Sequence, residues 1–200
     1  MFACLPDRAG TWEERGAYEQ RMLPLARVPF IDPEPQSELA PVAARFAGAR
    51  RGKLINVYRA LLNSPALAES WFDHINAVRW NTSLDGRLRE IVIIRIAYLT
   101  KAAYVLKQHV PKLAAADGVN AAECAALADW QASTLFDKRE RAVLAYTDAV
   151  TRDASAADAL FAAVAEHFEA KALVDLTVLI ATYNMHVRVV NTLALDLETD

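Results

Sequence analysis

The sequence predicts an all-α fold, on three observations. Apolar residues recur at three- and four-residue spacing almost throughout, strand-type alternation is scarce, and alanine, the best helix former, is abundant from Ala102 onward. Two hundred residues, 54% hydrophobic with only 6 Gly and 8 Pro, suffice for a well-buried core and exclude collagen-like, low-complexity and largely disordered chains. We divide the chain into residues 1–50, an N-terminal helix with a proline-rich arm, and residues 51–200, the helical domain.

Pro24, Pro29, Pro33, Pro35 and Pro41 punctuate the start. They lack an amide donor, so a short helix over residues 12–23 gives way to an extended arm lying over the main body or a neighbouring subunit. Ser37 is placed to cap a helix reaching residue 49, and after Arg50-Arg51-Gly52 a second begins near Leu54 and stops before Ser64. Pro65 opens a third, with Leu67, Trp71, Ile75 and Val78 as its apolar stripe and Asn81-Thr82-Ser83 as its end. Helices over 84–99 and 102–116 form a hairpin, with Thr100 capping the second and Asp117-Gly118 ending it. Asn120 starts a helix to about residue 130 and Asp137 another to 152, while Ser155 with Asp158 reads as a capping box for a shorter one ending near Phe168. The last helix, over 170–195, is apolar on nearly all sides at Leu173, Leu176, Val178, Leu179 and Ile180, which predicts burial in the core or between subunits.

Charge and cysteine usage narrow the partners. Lys+Arg 22 against Asp+Glu 25, mixed along the chain, offers no basic block for nucleic acid. Cys4 and Cys124 form no Cys-x-x-Cys pair, so they argue for neither a disulfide framework nor a zinc knuckle and fit a reducing cytoplasm. Pro6, Asp7 and Arg8 occupy the place of a signal peptide's apolar core, and charges interrupt the later apolar runs, so a cytoplasmic protein without a membrane partner is expected.

Polar groups intrude on the hairpin's apolar pattern: Glu90 and Arg95 on the first arm, Tyr104, Gln108 and His109 on the second. Ala102, Val105, His109 and Leu113 share a helix face, so His109 faces inward and needs a partner, which Glu90 can supply across the hairpin. A carboxylate beside an imidazole sets its tautomer and tunes it as an acid or base near neutral pH. The same spacing fits a structural His109 bonded to a carbonyl, with Glu90 in a surface ion pair to Arg87 or Arg89. Tyr104 lies off the His109 stripe and fits a packing role as well as an acid. His74, and the group Tyr183, His186, Arg188 and Asn191, fit either site lining or a bonded packing network. Spacing for metal ligands is lacking, as are phosphate-loop and dinucleotide glycine patterns, so no cofactor is expected.

The run from Ser64 through "SLDGRLREIVIIRIAYLTKAAYVLKQHVPKLAAADGVN", with the later "KRERAVLAYTDAV" and "YNMHVRVVNTLALDLE", resembles the carboxymuconolactone decarboxylase family, which includes the alkylhydroperoxidase D (AhpD)-like proteins. The likeness covers about residues 50–198. It implies an AhpD-like helical subunit assembling into trimers or hexamers, with the active site at the hairpin. In the family's peroxidases eleven residues separate a Glu from a Cys-x-x-Cys pair and three more separate that pair from a His; here the outer positions fall on Glu90 and His109 and the cysteine positions on Ala102 and Val105. The dithiol peroxidase cycle is thereby excluded. Members without thiols read Tyr-Glu-Trp and then His; this chain keeps Tyr104 and His109 but has Val105 and Leu106 between them, which makes the pocket more apolar.

The expected function is a cofactor-independent lyase or isomerase acting on a small carboxylated lactone, cyclic enone or aromatic-derived compound. His109, Glu90 and Tyr104 are its catalytic candidates, and Val105, Leu106, Ala102, Trp71 and His74 its substrate contacts. Arg95, Lys101 and Lys107 are candidates to attract a carboxylate. The alternatives are a non-catalytic binding or assembly protein and a residual peroxidase using Cys124.

Overall fold

The computed structural model describes residues 26–198, so the helix expected over 12–23 and Cys4 lie outside the described residues. Among those described, every regular element is helical. They are α1 (Ala40–Gly48), α2 (Asn56–Leu61), α3 (Pro65–Trp80), α4 (Gly86–Leu99), α5 (Ala103–Gln108), a π-helical turn (His109–Leu113), α6 (Ala114–Ala116), α7 (Ala121–Ala126), a 3₁₀ turn (Leu127–Ala132), α8 (Lys138–Asp153), α9 (Asp158–Ala165) and α10 (Ala170–Thr192).

Helix α4 is the axis of the domain. One side, through Val92, Ile93 and Ile96, enters a core shared with α1, α2, α3, α8 and α10; the other, through Ile91 and Ile94, enters a second core with Cys124, Leu127, Trp130 and Phe136. Burial of each of these Ile and Val side chains contributes about 1.5–3 kcal/mol. A helix buried on all sides shows no one-sided apolar stripe, which is how α4 reads in sequence.

Several expected boundaries moved, each for a local reason. The second hairpin arm is not one continuous α-helix, because Pro111 removes an amide donor in its middle and the backbone passes through the π turn. Thr100 does not cap that arm; its hydroxyl donates to the Ile96 carbonyl and closes α4. Helix α1 starts at Ala40 without a side-chain cap, and the Ser37 hydroxyl donates to the Glu34 carbonyl. Ser155 caps nothing either, since α9 begins after Ala157. Capping boxes form instead at Asn120 with Glu123 and at Asp137 with Glu140. On α3 the buried face runs through Ala68, Phe72, Ile75 and Val78, while Leu67 is exposed, so the stripe is rotated by one position.

The described part of the arm lies on the body: the Arg27 amide donates to the Leu193 carbonyl (2.8 Å) and the Ile31 amide to the Arg59 carbonyl (3.0 Å). Helix α10 packs on α3, α4 and α8. By length and composition it is apolar enough to cross a membrane, contrary to the expectation of charge-broken runs, but 44% of its most apolar stretch is buried within the chain.

Candidate active site

The hairpin turn sets up the site. After α4 the chain takes a left-handed step at Lys101 (φ 55°), and the Ala102 amide donates back to the Ala97 carbonyl (2.8 Å) while the Lys101 amide donates to the Tyr98 carbonyl (3.3 Å). This six-to-one closure folds α5 back across α4. Lys101 is therefore a turn residue. The π turn that follows begins at His109 and carries it over Glu90 of α4.

Glu90 is fully buried, and its Oε2 lies 2.7 Å from Nδ1 of His109. Its Oε1 accepts from Nη2 of Arg79 at 3.4 Å and has Nε of Arg89 at 3.9 Å. Burial works against the Glu90 charge, but the His109 hydrogen bond and the two guanidiniums outweigh it and hold the carboxyl below its ordinary range. His109 is pushed below its ordinary value, by burial above all and by Arg79 and Arg89, against the opposing pull of Glu90. The consistent state at neutral pH is a Glu90 carboxylate accepting Nδ1–H of a neutral imidazole. That leaves Nε2 as the basic atom of a ring that lines the cavity.

Arg79 and Arg89 each lie over the Trp80 ring, 4.9 Å from its centroid, and Arg89 is anchored by Asp117 at 2.7 Å. Gly86 makes that anchor possible: a Cβ there would sit 2.3 Å from Oδ1 of Asp117. Nη1 of Arg79 donates to the Tyr183 hydroxyl (3.3 Å), whose ring meets His109 edge to face at 5.7 Å.

His109 opens on a cavity of about 80 Å³ between α2, α3, the hairpin and α10, walled by Val57, Ile75, Val105 and Leu113 among apolar residues and by Arg50, Tyr58, Arg79, Tyr104, Tyr183 and His186 among polar ones. Of the expected site residues, the structure brings His109, Tyr104 and Val105 to this wall, with Glu90 directly behind His109. The Tyr104 hydroxyl is already engaged: it donates to Glu198 (2.6 Å) and accepts from the Val57 amide (3.2 Å), and burial with the adjacent Glu198 charge raises its pKa far above the usual phenol value.

Four expected substrate contacts lie off the wall. Ala102 is buried in the core at the start of α5, and Leu106 packs between the two cores. Trp71 packs on the His186 ring (5.7 Å), and His74 bonds Thr182 through Nε2 (2.8 Å). Arg95 points away into the second core, where it pairs with Asp148. Residues missed from the sequence are Arg50, Tyr58 and Arg79. A signal for Arg79 existed in an arginine placed among the buried positions of α3, whereas Arg50 sits in a loop with no periodicity to read.

The matches to known proteins fall on these same elements. The model of the carboxymuconolactone decarboxylase family matches residues 65–149, from the start of α3 into α8. The protein YnjA of Escherichia coli strain K12 is 34% identical over 111 residues, 55% of this chain, and the chain spans about three fifths (60%) of that curated relative's length. Among solved structures, ATU0492 of Agrobacterium tumefaciens, provisionally named an antioxidant-defence AhpD protein, is 25% identical with TM-score 0.66, covering 70% of this chain and 96% of its own. The debrominase Bmp8 in complex with 2,3,4-tribromopyrrole shares the fold at 20% identity and TM-score 0.73, covering 86% of this chain and 91% of its own. Residues 65–149, which hold Glu90 and His109 and no Cys-x-x-Cys pair, thus match the carboxymuconolactone decarboxylase family, and the chain around them is similar to AhpD-like proteins.

Proposed function

We propose that the chain is a lyase or isomerase that moves a proton on a small ring compound, a carboxylated lactone, cyclic enone or aromatic-derived molecule, without a cofactor. The observation that carries the reading is the 2.7 Å Glu90–His109 contact behind the cavity wall. With Nδ1–H held by Glu90, Nε2 of the neutral imidazole takes a proton from carbon next to a carbonyl. Glu90 stabilises the imidazolium that forms, and the same ring returns the proton to the product carbon. The guanidinium of Arg79 and the hydroxyl of Tyr183 lie beside His109, where they stabilise negative charge developing on the carbonyl oxygen.

The small cavity and its mixed wall of aliphatic side chains and hydroxyls support a compact ring as substrate. Chemistry on a five-membered ring by Bmp8 is compatible with this fold. Cys124 gives a peroxidase reading no support: it is buried in the second core, and burial pushes its thiol up, away from the reactive thiolate. Homo-oligomeric assembly is part of the proposal, supported by Val174, Val178 and Met185 left exposed along α10, and sedimentation of the full chain checks it.

The test is a screen of carboxylated lactones, cyclic enones and phenolic compounds read by product mass, repeated with His109→Asn and Glu90→Gln. Both substitutions are expected to cut turnover about 100-fold or more, the range of general acid–base catalysis. Normal turnover by His109→Asn overturns the proposal, and a ligand that binds but is never converted favours the non-catalytic alternative.

A further inference from the structure

Among the described residues the cavity wall contains two arginines and two histidines and no carboxylate side chain. Around it the charges do not cancel. Arg79 and Arg89 share the carboxylates of Glu90 and Asp117, and His109 is neutral against Glu90. Arg50, from the loop between α1 and α2, is the cation left over. Its hydrogen bonds go to neutral acceptors alone among the described residues: the Ala49 carbonyl (3.0 Å), the Tyr58 hydroxyl (2.8 Å) and Oδ1 of Asn76 (3.1 Å). Its guanidinium also lies over the Tyr58 and Phe72 rings at 5.4 and 5.3 Å. These contacts orient the group without neutralising it.

We propose that Arg50 is the anion receptor of this cavity and makes the site selective for ligands bearing a carboxylate over their uncharged counterparts. A planar guanidinium fixed by two side chains and a carbonyl is pre-organised for such a partner, so little ordering entropy opposes binding. The Tyr58 hydroxyl accepts from Arg50 and keeps its own proton to donate to the same carboxylate. Burial makes that proton harder to lose, so Tyr58 stays a donor at neutral pH. Arg50 is half-buried and belongs to the wall that also carries His109, so a carboxylate held there places the rest of a small ring toward Nε2. This narrows the substrate class of the proposed reaction and rests on that reading only for its catalytic meaning; the binding claim stands apart from turnover.

The experiment compares binding of 2-furoate and uncharged 2-furamide to the full chain by calorimetry or ligand-observed NMR. The native protein is expected to prefer furoate by about ten-fold or more, the scale of a charge-assisted hydrogen bond. Arg50→Gln is expected to bring that ratio close to one, with the larger loss in furoate binding. Arg50→Lys keeps the charge and is expected to retain a preference that weakens with added salt; it carries the test if Arg50→Gln does not fold. Equal binding of the two probes by the native protein, no saturable furoate binding, an undiminished ratio in Arg50→Gln, or a salt-independent ratio in the native protein and Arg50→Lys overturns the proposal. His109→Asn is expected to keep the furoate preference, so loss of the acid–base reading and loss of the anion site are seen separately.

Discussion

Arg95 and Asp148 form a two-pronged ion pair inside the second core, Nε to Oδ1 and Nη2 to Oδ2, both at 2.6 Å. Nη1 of Arg95 adds the carbonyls of Leu127 and Ala128, so α4 is tied at once to α8 and to the 3₁₀ turn. Arg95→Leu leaves the Asp148 carboxylate buried without its main partner and is expected to cost about 3–5 kcal/mol in urea unfolding. Ligand selectivity at the cavity should not change, because Arg95 is absent from its wall.

Glu90→Gln is expected to act on stability as well as on turnover. It removes the one carboxylate facing Arg79, Arg89 and His109 together, leaving guanidinium charge buried and underpaired. A loss of about 3 kcal/mol in denaturant unfolding is expected, larger than that of His109→Asn, which keeps Glu90 between its two arginines.

The pH profile follows from the neutral imidazole. His109 must be unprotonated to act as base, and its pKa lies below the ordinary 6.5. The rate constant kcat/KM is therefore expected to be flat through neutral pH and to fall only on the acid side of 6.5. Glu90 pulls that pKa upward, so residual activity of Glu90→Gln should have its acid limb at still lower pH.

His186 makes acid stability testable. Among the described residues its Nδ1 is buried without a hydrogen-bond partner, and burial, reinforced by the neighbouring Arg79 and Arg50 charges, lowers its pKa to about 3. An unfolded chain takes up a proton here near 6.5 and the folded one does not until about 3, so this contribution to stability is complete above 6.5 and lost as pH falls toward 3. His186→Phe is expected to flatten the dependence of Tm on pH in that window; an unchanged slope refutes the assignment.

Lys101→Gly is expected to stabilise the hairpin. Lys101 holds φ 55° at the α4–α5 turn, a conformation that costs a side-chain-bearing residue roughly 1 kcal/mol and glycine nothing. A gain of about 0.5–1 kcal/mol, read by urea unfolding with furoate binding unaffected, is the expected outcome.

Much of the architecture was legible because helix-forming signals are local. Pro65 at the start of α3, Asn120 and Asp137 at their capping boxes, and Gly118 at φ 80° act within one turn of themselves, and each sits where its element begins or ends. The Glu90–His109 meeting was also open to sequence reasoning, since two polar residues interrupted apolar faces of adjacent hairpin arms. The α3 stripe was misread by one position because Trp71 and Leu67 look like core residues, and only packing shows that Phe72 and Ala68 take that face.

What the sequence determined by itself is a helical chain with an acid and an imidazole on adjacent arms of one hairpin, because helix period and turn chemistry are written in residues a few positions apart; that the two meet was decided by the packing. Which polar groups surround that pair was decided by the tertiary structure alone. Arg50, Tyr58, Arg79, Tyr183 and His186 come from four separate segments, and their approach to His109 depends on how α2, α3 and α10 pack around α4. The same packing sent Arg95 into the core and bound Tyr104 to Glu198, 94 residues away in sequence. Charge balance in a cavity is a property of three-dimensional neighbours, and no periodicity along the chain encodes it.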